Sequence, residues 1–264
     1  MINPELLVRD LNNIRQKSPL IHNITNYVVM NNTANALLSI GASPVMAHAL
    51  DEVQEMANIA SALVLNIGTL EPQWVEAMLF AGKTALRNNT PIVFDPVGAG
   101  ATSYRTRVCN QIIDECRPSI IRGNASEMMA LANANIQTKG VDSTDSSDAA
   151  LDSAKSLAAQ TGAIVVISGQ TDYITDGIYT ETVTNGNPIM AKVTGMGCTA
   201  TALVAAFAAI NPNMYEAATH AMATMGIAGE LAAQKASGNG SMQVFFLDEL
   251  YNLDEETIKT NIKL

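Results

Sequence analysis

The feature that most constrains the fold is an alternation of short apolar runs with longer, helix-like segments. Five runs rich in Val, Ile and Leu are predicted as strands, namely residues 44–47, 62–67, 92–95, 119–122 and 164–168. Six longer patterns are predicted as helices, namely residues 28–39, 50–61, 72–88, 103–116, 126–131 and 148–160. Nearly unbroken apolar strands are typical of a parallel sheet that helices cover on both faces. The alternation therefore predicts an α/β fold with three αβα layers and a mostly parallel central sheet.

The C-terminal third has a different pattern. A strand pair is predicted around residues 172–184, and residues 197–251 read as mostly helical. No repeat of fixed period and no Pro- or Ser-rich linker divides the chain. The polar stretch 135–147 is short enough to be a surface loop. We therefore expect one domain over residues 1–264.

Composition argues against several classes of partner. The net charge is −10 and no stretch concentrates Lys or Arg, which argues against nucleic acid and anionic membranes. The charge-free stretch 193–215 is long enough to suggest a membrane span, but its apolar part, residues 198–210, is too short for one. The three cysteines form no Cys-x-x-Cys pair, and residues 1–10 lack the apolar core of a signal peptide. We therefore expect a soluble, cytoplasmic protein.

Three predicted strands end in a polar residue. These residues are Asp95, Arg122 and Ser168. The carboxyl ends of parallel strands lie at one edge of the sheet, and open α/β sheets bind their ligands outside that edge. We therefore expect these three side chains to share a site.

The sharpest local motif is the turn Gly195-Met196-Gly197-Cys198, which precedes the charge-free helix. Two glycines two residues apart let successive N–H groups face one concave surface. The helix, predicted to start near Gly197, directs its positive dipole end at the same point. The motif therefore predicts a binding site for a transferring phosphoryl group. The alternative is a plain turn before a helix.

Cys198 has two interpretations. A cysteine that opens an Ala-rich buried helix can be a small apolar side chain. At a helix N-terminus, however, its thiol is expected to have a pKa below the free value of about 8.5. We favour a role in the site, in which Cys198 orients an attacking hydroxyl and accepts its proton late, if at all. Phosphoryl transfer depends mainly on positioning and charge neutralisation, so a strong base is dispensable.

A second motif, Asn124-Ala125-Ser126-Glu127, directly follows a predicted strand. In the structural interpretation, Ser126 caps a helix and Glu127 complements the helix dipole from the first turn. In the functional interpretation, Glu127 and Asp95 flank a hydrated Mg²⁺, which prefers one or two carboxylates together with waters and phosphate oxygens. The three histidines lack metal-ligand spacing and are assigned no chemistry.

Seven strings of this chain resemble the hydroxyethylthiazole kinase family. They are IHNITN (21–26), ANALL (34–38), GASPVM (41–46), LNIGTL (65–70), DPVGAG (95–100), RGNASE (122–127) and GMGC (195–198). The resemblance implies a ribokinase-like fold and dependence on ATP and Mg²⁺. It also implies transfer of the γ-phosphoryl group of ATP to the hydroxyl of 4-methyl-5-(2-hydroxyethyl)thiazole, a step in thiamine biosynthesis and salvage. The family is typically a homotrimer with active sites between subunits.

The resemblance also assigns site residues. Those that resemble thiazole-binding positions are Asn26, Met46 and the backbone of Gly195, and those assigned to ATP are Arg122, Ser168 and, through the turn, Gly197. Asp95 with Glu127 resembles the metal-linked pair, and Cys198 is the catalytic candidate. Position 168 is often Thr in relatives, and many ribokinase-like enzymes have Gly-Ala-Gly-Asp where this chain has Gly-Met-Gly-Cys.

Two alternatives remain open at this level. Ribokinase-like kinases also phosphorylate hydroxymethylpyrimidine, pyridoxal and sugars, although a sugar pocket would need more polar side chains than residues 42–46 offer. The other alternative is a trimeric ATP-binding regulator without turnover, suggested by the missing Asp at position 198. Retention of Asp95, Arg122 and Glu127 argues against it.

Overall fold

The computed structural model describes residues 2–135 and 146–263, which build an eight-stranded sheet. Its strands are β1 (Leu20–Ile24), β2 (Ser43–Val45), β3 (Ala62–Asn66), β4 (Ile92–Asp95), β5 (Ile120–Asn124), β6 (Ile164–Ser168), β7 (Asp172–Thr175) and β8 (Thr180–Val183). The sheet order is β2-β1-β3-β4-β5-β6-β7-β8. Every pair from β2 to β6 is parallel, and β7 and β8 are antiparallel additions. The predicted mostly parallel sheet is confirmed.

Helices cover both faces of this sheet. They are α1 (Pro4–Lys17), α2 (Met30–Ser39), α3 (Val53–Ile59), α4 (Pro72–Arg87), α5 (Ser103–Cys116), α6 (Ala125–Asn135), α7 (Ser146–Thr161), α8 (Met196–Ala208), α9 (Met214–Lys235), α10 (Asn239–Asn252) and α11 (Glu255–Asn261). A 3₁₀ turn, Pro188–Lys192, precedes α8.

The two faces follow from the direction of the crossovers. The chain passes from β1 outward to β2 through α2, then reverses direction and adds β3 to β6 through α3 to α7. Since parallel crossovers are right-handed, the reversal places these two groups of helices on opposite faces. Helices α1 and α8 to α11 join α2, so each face has its own apolar core. The three αβα layers are thus confirmed.

Alternation along a strand supplies both cores. In β3, Ala62 and Val64 belong to the core beneath α8, whereas Leu63 and Leu65 belong to the core beneath α4. Successive strand side chains point to opposite faces, so a strand that is apolar at every position is buried on both. This explains why an unbroken apolar run identified β3 from the sequence.

Strand β1 and the helices α1 and α11 were not predicted. Strand β1 contains His22 and Asn23, which interrupt the apolar run, although both side chains are buried. Helix α1 starts with a recognisable signal, since Asn3 accepts hydrogen bonds from the N–H groups of Glu5 and Leu6 and Pro4 follows it. Strand β5 also continues to Asn124, so Arg122 lies two residues before its end.

Two further expectations concern single segments. The polar stretch 135–147 falls largely on residues 136–145, which lie outside the described residues, so the surface loop stays a prediction. The charge-free stretch contains α8, a buried helix of 13 residues. Within the described ranges no helix has the length and apolar character needed to cross a membrane.

Candidate active site

Polar residues line the carboxyl edge of the parallel strands. Asn26 lies two residues beyond β1, Met46 one residue beyond β2, and Asn66, Asp95 and Ser168 end β3, β4 and β6. The strands are neighbours in the sheet, so these residues form a row along one edge. Helix α8 packs over β1, β3 and β4 and brings its first turn to the same row. This is the edge at which the sequence predicted a site.

A buried set of side chains joins three strand ends to α8. Asp95 Oδ2 accepts hydrogen bonds from Asn66 Nδ2 and Thr201 Oγ1, both at 2.8 Å. Asn26 Nδ2 donates to Asn66 Oδ1 at 2.9 Å and to Cys198 Sγ at 3.5 Å. We call these five residues, Asn26, Asn66, Asp95, Cys198 and Thr201, the Asp95 network. It holds Cys198 beside a carboxylate through partners from across the chain.

The environment of Asp95 favours neither protonation state strongly. The pKa of its carboxyl is raised from the ordinary 3.8 to about 6, mainly by burial and in smaller part by the charge of Glu127. The charge of Arg122 and the hydrogen bonds from Thr201 and Asn66 act in the opposite direction. At neutral pH, Asp95 is therefore mostly an ionised carboxylate in a dry pocket.

Cys198 is the third residue of α8, which begins at Met196, within one residue of the start predicted near Gly197. Burial, and after it the nearby charge of Asp95, raise the pKa of its thiol to about 11. The expectation of a lowered thiol pKa is wrong, because desolvation and a neighbouring carboxylate outweigh the helix N-terminus. At pH 7 only about one thiol in ten thousand is ionised, so Cys198 is a neutral hydrogen-bonding group.

The glycines of the turn have separate structural reasons. Gly195 is the N-cap of α8 with a φ of 84°, in the left-handed region that side chains disfavour. At Gly197 an added Cβ would lie 2.8 Å from Arg122 Nη1. The absence of a side chain at Gly197 therefore lets the Arg122 guanidinium approach the first turn of α8.

Arg122 is a buried cation with few partners. Its Nη2 donates to Ser168 Oγ at 2.6 Å, while its Nε is buried without a hydrogen-bond partner. Across the part of the chain that the structure describes, no carboxylate forms an ion pair with it. Its charge acts on nearby Asp95 and Asp172 without direct contact. A buried charge without a carboxylate in direct contact costs free energy, so this guanidinium is suited to an anionic ligand.

A cavity of about 600 Å³ opens beside Arg122. Its lining residues are Arg122, Ser168, Gly169, Gln170, Asp172, Asn185, Gly186, Asn187, Pro188, Met190, Ala191, Met196, Gly197, Ala200, Met222, Met225 and Gly226. All three residues that the sequence assigned to ATP are in this set, whereas the four assigned to thiazole or catalysis are not. The structure thus separates the predicted residues into two groups that meet at the first turn of α8.

The contacts of Glu127 match the structural interpretation of its motif, and its role at a metal stays a prediction. Its Oε2 accepts the N–H of Asn124 and its Oε1 accepts the N–H of Gly98, each at 2.8 Å. Asn124 Oδ1 in turn accepts the N–H of Glu127 at 3.0 Å, which makes a capping box. The cap is Asn124 and not, as predicted, Ser126, whose hydroxyl donates to Asn124 Oδ1.

The Asp95–Glu127 pair has the chemistry that Mg²⁺ requires. The two charges are close enough for Glu127 to raise the pKa of Asp95, and both residues offer hard oxygen donors. Within the described ranges, no group of three or more His, Cys, Asp or Glu side chains could hold a metal. Two carboxylates fit an ion that takes its other ligands from water and phosphate, so these residues fit a hydrated Mg²⁺.

Met46 is not a member of the Asp95 network and lies in the half-buried segment after β2. Two histidines hold this segment: His48 Nδ1 donates to the Met46 carbonyl at 3.2 Å and His22 Nε2 to the Ala47 carbonyl at 2.7 Å. The His48 ring also packs against Trp74 with centroids 4.5 Å apart. The sequence assigned these histidines no chemistry, and no spacing signal marked them.

Asn66 and Thr201 are network residues that the sequence did not single out. Asn66 ends an apolar strand as Asp95 does, so its position was a usable signal. Thr201 is a fully buried hydroxyl one turn into an apolar helix, and its partner Asp95 is 106 residues away in the chain. That pairing becomes visible only in the folded protein.

Comparisons with known proteins match most of this chain to one family. The model of the Hydroxyethylthiazole kinase family matches residues 11–256. A protein named hydroxyethylthiazole kinase from Leptospira biflexa is 54% identical over 255 residues, or 97% of this chain and 96% of that protein. A solved structure of a hydroxyethylthiazole kinase protein from Pyrococcus horikoshii has a TM-score of 0.91 at 41% identity and covers 98% of both chains.

A more distant structure identifies the fold alone. A ribokinase-like superfamily protein from Enterococcus faecalis has a TM-score of 0.66 at 13% identity and covers 96% of both chains. The predicted ribokinase-like fold is confirmed. Together with the family match over most of the chain, these likenesses lead to one conclusion: the chain belongs to the hydroxyethylthiazole kinase family.

Proposed function

We propose that this chain transfers the γ-phosphoryl group of ATP to the hydroxyl of 4-methyl-5-(2-hydroxyethyl)thiazole. The product is the thiazole phosphate used in thiamine biosynthesis or salvage. Membership of the family supports the reaction, and one observation carries the proposal. Arg122 is buried at the wall of the 600 Å³ cavity without a carboxylate partner in the described residues, beside Ser168 and Gly197.

The cavity is the proposed ATP site. Four methionines in its wall, Met190, Met196, Met222 and Met225, offer an apolar surface for a nucleobase. The Arg122 guanidinium and the Ser168 hydroxyl offer donors to phosphate oxygens. The N–H groups at the start of α8 point their dipole toward the same place, which favours the charge that develops during transfer.

The acceptor hydroxyl is proposed to bind at the Asp95 network, with Asn26, Met46 and the Gly195 backbone around the thiazole. Cys198 is the proposed catalytic residue, in the sense that its neutral thiol orients the hydroxyl. Because the transition state of phosphoryl transfer is loose, a strong base is not required. The N–H groups of the turn and the charges around Asp95 supply most of the catalysis.

Asp95 and Glu127 are the proposed residues that hold a hydrated Mg²⁺. A bound Mg²⁺ supplies charge neutralisation on the phosphate oxygens. Glu127 also keeps the start of α6 and the Gly98 turn in place through its two backbone contacts. The hydrogen bonds that Asn66 and Thr201 donate favour the ionised form of Asp95, which helps to keep a negative charge at the proposed Mg²⁺ site.

We propose a homotrimer of single-domain subunits in the cytoplasm. The residues that follow Asn26 support association, because Tyr27 and Val28 are 56% and 66% exposed beside the acceptor end of the site. The cysteines support the location, since Cys109 and Cys116 are buried free thiols. Size-exclusion chromatography with light scattering tests the trimer.

A coupled ADP-release assay with purified protein tests the reaction. We expect ADP release that requires both Mg²⁺ and the thiazole, and a product with the mass of the thiazole phosphate. Hydroxymethylpyrimidine, pyridoxal and ribose are the matched alternative acceptors. Turnover with one of these and not with the thiazole would contradict the proposed substrate. ATP binding without turnover on any alcohol would favour the regulator instead.

A further inference from the structure

One wall of the cavity is a loop between β8 and α8. Six lining residues come from this segment, which we call the cavity loop: Asn185, Gly186, Asn187, Pro188, Met190 and Ala191. The loop includes the 3₁₀ turn that leads into α8. Its position therefore decides the shape of the cavity on that side.

Helix α9 holds the cavity loop through one carboxylate. Glu230 Oε2 accepts from Asn185 Nδ2 at 3.0 Å, and Glu230 Oε1 accepts the N–H of Gly186 at 2.8 Å. The Lys263 ammonium pairs with the same Oε1. Burial acts to raise the pKa of Glu230, but the Lys263, Gly186 and Asn185 contacts outweigh it and lower that pKa. Glu230 is therefore an ionised anchor for the loop.

Asn185 directs its hydrogen bonds away from the cavity. Its Nδ2 also donates to the Asn261 carbonyl at 2.8 Å, and its Oδ1 accepts the N–H of Lys263 at 3.0 Å. These bonds lead to α9 and to the segment at the end of α11. Because its polar atoms point away from the cavity, Asn185 holds the backbone of the loop in place and does not bond a ligand there.

The packing of α9 against the loop is equally specific. Gly226 lies one turn before Glu230 on the same helical face. A Cβ at Gly226 would overlap the Asn185 carbonyl and lie 2.7 Å from Asn185 Cβ. The loop therefore rests directly on the helix backbone at Gly226 and is hydrogen-bonded to the helix at Glu230. Both contacts act on Asn185.

We propose that Glu230 is a positioning residue for the nucleotide, which sets ATP affinity by holding the cavity loop and does not itself touch ATP. This inference rests on the proposed function only in taking the cavity as the nucleotide site. If the loop is in its binding position for a fraction of the time, the apparent dissociation constant rises by the inverse of that fraction. Loss of the anchor lowers that fraction, while the acceptor site and the chemical step keep their geometry.

The test compares four variants by ADP titration calorimetry and by steady-state kinetics. We expect Glu230→Ala to weaken ADP binding and raise KM for ATP about tenfold, with kcat and KM for the thiazole within twofold of the unaltered protein. Glu230→Gln keeps one acceptor for the Gly186 N–H and should lose only about threefold. Gly226→Ala, which pushes Asn185 without removing any hydrogen bond, should weaken ADP binding at least as much.

The matched control is Glu249→Ala. Glu249 is a buried carboxylate that pairs with Lys235 of α9 at 2.5 Å, and it does not line the cavity. This variant should lower the melting temperature and leave ADP affinity within twofold. If Glu230→Ala matches the control in both measurements, Glu230 is merely structural and the inference is overturned. ADP affinity is measured without turnover, so an inactive protein would refute the proposed function and still decide this question.

Discussion

The Asp95 network and the cavity beside Arg122 meet at the first turn of α8, but their buried charged groups differ in hydrogen bonding. In the network, Asp95 accepts hydrogen bonds from Asn66 and Thr201, and Asn66 in turn accepts one from Asn26. In the cavity, the buried Nε of Arg122 has no partner. The proposed acceptor end, the Asp95 network, is therefore organised by the fold itself, whereas the proposed donor end, the cavity, leaves a buried Arg122 donor available for a ligand.

This difference has consequences for stability. A buried ion that lacks a full set of partners lowers the stability of the free protein, and active sites retain such groups for function. Substitutions at the two ends should therefore separate activity from stability in different ways. The four experiments below follow in order of expected effect.

Asp95→Asn should have the largest effect on activity. Loss of the carboxylate removes the proposed metal-linked charge, and we expect kcat to fall by at least about 10²-fold. The folded pKa of about 6 lies above the ordinary 3.8, so the stability from Asp95 is present below pH 4 and declines as pH rises through 6. Asp95→Asn should thus melt higher than the unaltered protein at pH 7 but not near pH 4. Activity within tenfold would contradict the role of Asp95.

Arg122→Met should affect mainly the donor end, although it also removes a charge that lowers the pKa of Asp95. Hydrogen bonds to a charged group contribute about 1.5–3 kcal/mol, so we expect KM for ATP to rise about 10- to 100-fold. KM for the thiazole should stay within twofold, and the melting temperature should not fall, since an unpaired buried charge is removed. Arg122→Lys is the matched control, because it keeps the positive charge and loses the planar set of N–H donors of the guanidinium. Equal increases in both KM values would refute the separation of the two ends.

Cys198→Asp should change kcat by less than about tenfold. The thiol is neutral at pH 7, so replacing it by a carboxylate removes no base that was acting. Cys198→Ser, which keeps a hydrogen-bonding group, serves as the control. Steady-state kinetics and thiazole titration are the measurements. A loss of several orders of magnitude in a folded protein that still binds thiazole would mean that the thiol has a role that a carboxylate cannot fill.

Thr201→Val should have the smallest effect and a characteristic pH dependence. The Thr201 hydrogen bond lowers the pKa of Asp95, so its loss should move the acidic limb of kcat/KM upward from about pH 6. We expect a decrease of about threefold at pH 7 and none at pH 8. Thr201→Ser keeps the hydroxyl and should retain the original profile. An equal loss at every pH would indicate a packing defect and not a change in ionisation.

Sequence patterns were sufficient where local chemistry decides the structure. The unbroken runs of β3, β4 and β6 predicted those strands to within a residue, because burial on both faces leaves room for apolar side chains alone. The same criterion missed β1, in which His22 and Asn23 are buried polar residues. It failed there because hydrogen bonds let polar side chains be buried in a strand: His22 bonds the Ala47 carbonyl and Asn23 the Ile21 carbonyl.

The site residues show the same contrast between features decided by neighbouring residues and features decided by distant ones. The glycines of the turn at 195–197 indicated a phosphoryl site from the sequence, since a tight turn before a helix produces a local array of N–H groups. The ionisation of Cys198 could not be predicted locally. Its thiol is kept neutral by burial and by Asp95, 103 positions earlier, and its hydrogen-bond donor Asn26 is 172 residues away.

The sequence by itself therefore determined the alternation of strands and helices from β2 to β6, the turn that begins α8, and the family to which the chain belongs. The tertiary structure alone decided that Cys198 is a neutral thiol, that Asp95 is held by Asn66 and Thr201, and that Glu230 anchors the cavity loop. The physical reason is that backbone conformation depends mainly on neighbouring residues. Desolvation, ionisation and hydrogen-bond pairing depend on side chains that only folding brings together.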